Sequence, residues 1–191
     1  MAENNARKIP LLLPFSAFFI WGCILTAAFL HSGFNWPDNL LSDLGVSDVS
    51  YIFSTGLVGG GLLGLLFTVF FIKYYRSDLL NLVNGILLLA TNISYILAGL
   101  IPISAGFLHY FFAFLAFALS IFICGLSSII FVMWRKKYFK LGLYGLTVLL
   151  ISFLIWIFIR LPGIAVTETA VGLLISSWFS ILGVTLYRSW R

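Results

Sequence analysis

Six apolar runs, each about twenty residues or longer, decide what this chain can fold into. A bilayer's hydrocarbon core is about 30 Å thick, and about 20 apolar residues cross it as one helix. The runs cover about 10–31, 51–73, 80–101, 106–134, 141–159 and 168–187. Charged residues make up only 9% of the chain, against about 25% in a soluble domain. So few charges cannot clothe a water-facing surface. The predicted fold is therefore all-α: a polytopic membrane protein, one domain over 1–191, built as a six-transmembrane-helix bundle. The connections are short, so sequence neighbours should pack antiparallel.

The lysines and arginines give the threading. Arg7, Lys8, Lys73, Arg76, Arg135, Lys136, Lys137, Lys140, Arg188 and Arg191 fall on one side of the predicted bundle, and Arg160 alone on the other. Cytoplasmic loops carry the excess of positive charge, so both termini are expected in the cytoplasm and the chain in the cell (plasma) membrane. The net charge of +5 is explained by this topology, and no nucleic-acid partner is expected. Cys23 and Cys124 lie inside apolar runs and read as small buried hydrophobes, not as a disulfide or a metal pair. Arg7 and Lys8 before the first run resemble the start of a signal peptide, but no small-residue cleavage site followed by a soluble domain appears, so that run reads as a retained helix.

The longest polar break, residues 35–48, joins the first two helices on the expected outer side and holds Asp38, Asp43 and Asp48. Pro37 suits the first turn of a short helix and Gly45 its stop. That helix would put Asp38, Ser42 and Gly45 on one face, with Asp43 pointing elsewhere. Ser47 or Asp48 is placed to cap the second helix, the preferred reading of Asp48. Within the second helix, Gly56, Gly60 and Gly64 form one stripe, either for packing inside the bundle, the favoured reading, or as the seam of a homo-oligomer or a larger membrane complex.

Further polar residues converge on the same side. Asn92 lies about 15 Å deep along the third helix, where its amide needs a partner inside the bundle; it is structural glue or the lining of a polar cavity. His109 opens the fourth helix, above Ala113, Ala116, Ser120 and Cys124, a face of small residues that can hug a neighbour or floor a pocket. The histidine is either bonded to a carboxylate or carbonyl, or acts as a base, a proton switch or a metal ligand. Arg160 breaks the charge rule and so calls for an acidic partner: Glu168, Asp38 or Asp43. Glu168 heads a stripe with Gly172, Ser176 and Ser180, and the dipole of the sixth helix offers its simplest explanation.

With only His31 and His109 available, a zinc site built mainly from histidines is excluded. The Asp spacing does not fit a calcium-binding EF-hand loop. No nucleophile elbow and no nucleotide-binding glycine loop occurs. No metal and no cofactor are expected.

The pattern Asn39-x-x-Ser42-Asp43-Leu44-Gly45, followed by Gly99-x-x-Pro102, His109 on the fourth helix and Glu168 at the head of the sixth, resembles a prokaryotic six-helix membrane family catalogued as domain of unknown function 998. The resemblance covers most of the chain and implies its fold and topology. The family's Glu-Arg pair at the sixth helix is not matched: Thr169 follows Glu168, and the nearest arginine is Arg160. No role for that pair carries over, and the resemblance implies no activity.

Three functions follow as expectations. The first is an outward polar pocket of Asp38, Ser42, Asp43, Asn92, His109, Arg160 and Glu168 that binds a membrane lipid's head group. The second is an enzyme acting on lipid or isoprenoid-linked substrates, with Asp43 and His109 as an acid–base pair. The third is an accessory subunit of a larger membrane complex, with the glycine stripe as its contact face.

Overall fold

A computed structural model of the chain describes residues 7–159 and 161–189. Within them, six helices are long and apolar enough to cross a membrane. They are α1 (Leu12–Leu30), α2 (Ser50–Tyr75), α3 (Leu79–Leu100), α4 (Phe107–Met133), α5 (Phe139–Ile157) and α6 (Ile164–Ser189). The protein is an all-helical, multi-pass membrane bundle.

The helix ends follow local chemistry. Asp78 caps α3: its carboxylate accepts the Leu80 and Asn81 amides at 2.9 and 3.3 Å. That helix stops because Pro102 forces the residue before it out of helical geometry, and Ile101 is extended at φ −93°, ψ 112°. Gly106, at φ +63°, opens α4. Asp48 does not cap α2, whose cap position is Val49 with no side-chain bond. Asp48 instead pairs with His31 across the ends of α1 and α2, Oδ1 to Nδ1, at 2.6 Å. The Ser47 hydroxyl takes the local role, accepting the Val49 amide at 3.3 Å.

Each helix packs on its neighbours in sequence, and α6 closes back onto α1. The six thus form a ring in chain order. Small residues permit the close approaches, as expected where hydrophobicity cannot drive helices together. A side chain at Gly56 or Gly60 would run into Cys23 or Ile20 of α1, and one at Gly64 into Asn92 of α3. All three glycines are buried against helices of the same chain. The Ser16 hydroxyl of α1 donates to the Gly60 carbonyl at 2.8 Å. On α6, Gly172 receives the ring of Trp21, whose indole N–H donates to Ser176 at 2.8 Å. Half of the predicted α6 stripe is therefore the seam that closes the ring.

At one end of the ring lie the connections 31–49 and 101–106 and residues 158–159 and 161–163. The basic residues among those described, from Arg7 and Lys8 to Arg135–Lys137 and Arg188, lie at the other. The long connection 31–49 is not a helix starting at Pro37. Trp36–Asp38 make a turn, and a short 3-10 helix, Leu41–Val46, follows with Gly45 inside it. This helix sinks Leu41 and Leu44 into the mouth of the ring, where they join Ile24, Ala27, Phe53 and Ala98 in one apolar cluster. The mouth is thus stoppered by leucines and is not an open polar vestibule.

Candidate functional site

Beneath the leucine stopper, the ring encloses a cavity of about 680 Å³. That is within the 300–1,000 Å³ of ordinary ligand pockets. Its walls come mainly from α1, α3, α4 and α6, and most are apolar: Leu13, Ile20, Leu88, Phe117, Ile175 and Phe179 among them. It is elongated along the helices. Glu168 and Phe179, both on its wall, are eleven residues apart on α6, about 16 Å at the helical rise.

The cavity's two ionisable side chains lie toward the stoppered end. Leu40, Leu41 and Ser42 form the roof, and Glu168 and His109 meet the cavity near it. Glu168 Oε2 accepts the buried Leu41 amide at 3.3 Å, tying α6 to the connection. The dipole explanation of Glu168 does not apply, because α6 begins at Ile164 and its first turn holds no acidic residue.

His109 is 2% exposed. Its Nδ1 lies 2.6 Å from the Ile101 carbonyl oxygen, one of the acceptors that the end of α3 leaves without a helical partner. A carbonyl only accepts, so Nδ1 carries the proton. His109 Nε2 is buried and has no hydrogen-bond partner. Below the histidine, Ala113, Ala116 and Ser120 line the cavity, so the small-residue face of α4 floors a pocket there. Deeper, Cys124 has left the cavity for the core.

Asn92 serves both predicted roles. Its amide donates to Thr68 of α2 at 3.1 Å and to the Leu88 carbonyl at 2.7 Å, and it also lines the cavity. Asp43 lies near Glu168, close enough for the two charges to interact. Its Oδ2 accepts the Leu40 backbone amide at 2.8 Å and the Asn39 side chain at 3.2 Å, holding the connection's own turn. No hydrogen bond joins Asp43 to His109; each is held by partners of its own. Asp38 is exposed, bonded to Asn35, and faces a separate hollow beside Trp156 and Thr167. Arg160 lies outside the described residues. Among the described residues no three His, Cys, Asp or Glu side chains cluster as a metal site would require.

The cavity also reaches the flank of the ring. Tyr110 and Phe114 of α4 and Trp156 of α5 line it, yet they are 49%, 73% and 50% exposed. The two helices are close at the basic end, where Gly142 of α5 leaves no room for a side chain beside Ser128 and Val132 of α4. Toward the stoppered end Phe153, Trp156, Ile157 and Phe158 are all exposed. Sequence reasoning missed both the cavity's apolar length and this side opening. The available signal was the run of bulky residues after Ser152, which has no small residue to seat a neighbouring helix.

The family described as a protein of unknown function (DUF998) matches residues 15–185. The chain belongs to the DUF998 family. No curated protein and no solved structure matches it. The DUF998 match takes in most of all six helices and the connection that roofs the cavity.

Proposed function

We propose that this DUF998 protein binds a single-chain, lipid-like amphiphile inside its helix ring. The observation that carries this reading is the cavity: about 680 Å³ in volume, mostly apolar along its length, with the ionisable His109 and Glu168 near one end. An apolar slot with a few placed polar groups matches a ligand with a tail and a small head. The flank between Tyr110, Phe114 and Trp156 would face hydrocarbon, giving a tail a way in from the bilayer without crossing water. The basic residues at the opposite end support an orientation with that end in the cytoplasm and the His109 and Glu168 end of the cavity toward the outer face of the cell membrane.

Gentle extraction into nanodiscs followed by native mass spectrometry tests the proposal. The expected result is a co-purifying amphiphile that is lost when Ala113→Phe fills the cavity while the melting temperature stays within a few degrees. Apo protein only, unchanged by adding lipid extract, would overturn it.

A further inference from the structure

Several of the cavity's polar groups present acceptors to it. His109 donates from Nδ1 to the Ile101 carbonyl, so in the neutral ring Nε2 offers only a lone pair. The Ser16 hydroxyl donates to the Gly60 carbonyl, Thr91 to Leu87 and Ser120 to Ala116. Each of these three hydrogens is turned away, and lone pairs are left for the cavity. Asn92 spends its N–H groups on Thr68 and Leu88, and its carbonyl oxygen lies against Gly64 of α2. Glu168 adds a carboxylate. Among the described lining residues there is no lysine or arginine.

Resting on the amphiphile reading above, we infer that the ligand's head group is a hydrogen-bond donor, a hydroxyl or an amine, and not a phosphate or a carboxylate. No lysine or arginine among the described lining residues neutralises an anionic head, and the Glu168 carboxylate near the roof repels it. A donor head reaching His109 Nε2 would satisfy the one buried histidine nitrogen that lacks a partner. Buried polar groups left unpaired are costly, which gives such a site its selectivity.

The test uses three probes of equal chain length, hexadecanol, hexadecylamine and hexadecyl phosphate, titrated into nanodiscs holding the full chain and read by native mass spectrometry. The expected result is that the alcohol and the amine bind about tenfold or more tightly than the phosphate. Glu168→Gln, which keeps an acceptor for Leu41, should weaken the amine several-fold and leave the alcohol nearly unchanged. Phosphate binding as tight as alcohol binding would overturn the donor-head inference while leaving the amphiphile proposal standing. An unchanged amine affinity in Glu168→Gln would overturn the part given to Glu168. If none of the three binds, the amphiphile proposal itself falls.

Discussion

Glu168 Oε2 accepts the backbone amide of Leu41 at 3.3 Å, across 127 positions of sequence. This bond fastens the last helix to the connection that stoppers the ring, and Leu41 is itself buried. Its loss would leave a buried amide unpaired, at about 1–3 kcal/mol. Glu168→Ala should therefore lower stability by about that amount and speed hydrogen exchange at Leu41. Glu168→Gln retains an acceptor oxygen and should do neither. Equal exchange in both variants would show that the bond does not hold the roof down.

The predicted glycine stripe and the predicted polar amide turn out to meet. Gly64 of α2 sits directly against the Asn92 side chain of α3. A methyl group there overpacks the contact, so Gly64→Ala should destabilise by about 1–3 kcal/mol. Asn92→Ala removes the bond to Thr68 and should cost about 0.6–2 kcal/mol, the range for polar contacts between membrane helices. Because the second change deletes the group with which the first collides, the double variant should cost less than the two single costs added together. Strict additivity in a thermal-unfolding cycle would refute this contact.

The helices were legible because a membrane span is dictated by a long-range property of the sequence, which no single residue can override. Asn92 could be read as buried for the same reason. The site was harder, because its pieces depend on which short-range partner wins. Asp48 lies where a cap would lie, but His31 ends the preceding helix within reach and takes it. Asp43 looks free to do chemistry on paper, yet its own turn absorbs it. Glu168 reads as a dipole partner only if α6 begins at 168, whereas Gly163 allows it to begin at Ile164. The polarity of residues 35–48 likewise concealed Leu41 and Leu44, which do the packing.

At the basic end, Asp78 caps α3 and also pairs with Arg135 from the connection between α4 and α5. Partial desolvation raises its pKa, but the Asn81 amide, the Arg135 charge and the Leu80 amide outweigh this and hold the carboxyl below the usual carboxylate range. A folded-state pKa below the unfolded value adds stability above the unfolded value, about 3.9. That contribution disappears as pH falls through the folded-state value. Asp78→Ala should therefore melt below the parent at pH 7, and the gap should narrow steadily below about pH 4. Asp78→Asn keeps a capping oxygen and should fall between them at neutral pH. A gap that is constant down to pH 2 would rule out an ionised Asp78 as the cause.

Gly163 links the two connections at the stoppered end. Its φ is +99°, a conformation closed to most side chains, and a Cβ there would overlap the backbone of Trp36 and Pro37. Strain of this kind costs about 1–3 kcal/mol, and a neighbouring backbone cannot swing aside as a flexible side chain can. Gly163→Ala should cost at least about 2 kcal/mol and loosen the 31–49 connection, visible as faster labelling of a cysteine placed at Ser42. Gly22 in α1 is the matched control, since a Cβ there meets nothing within 4 Å. Gly22→Ala should be neutral or gain up to about 1 kcal/mol from helix propensity, with labelling at Ser42 unchanged. If the two alanine variants melted alike, the contact between the connections would not be what seats α6 against the roof.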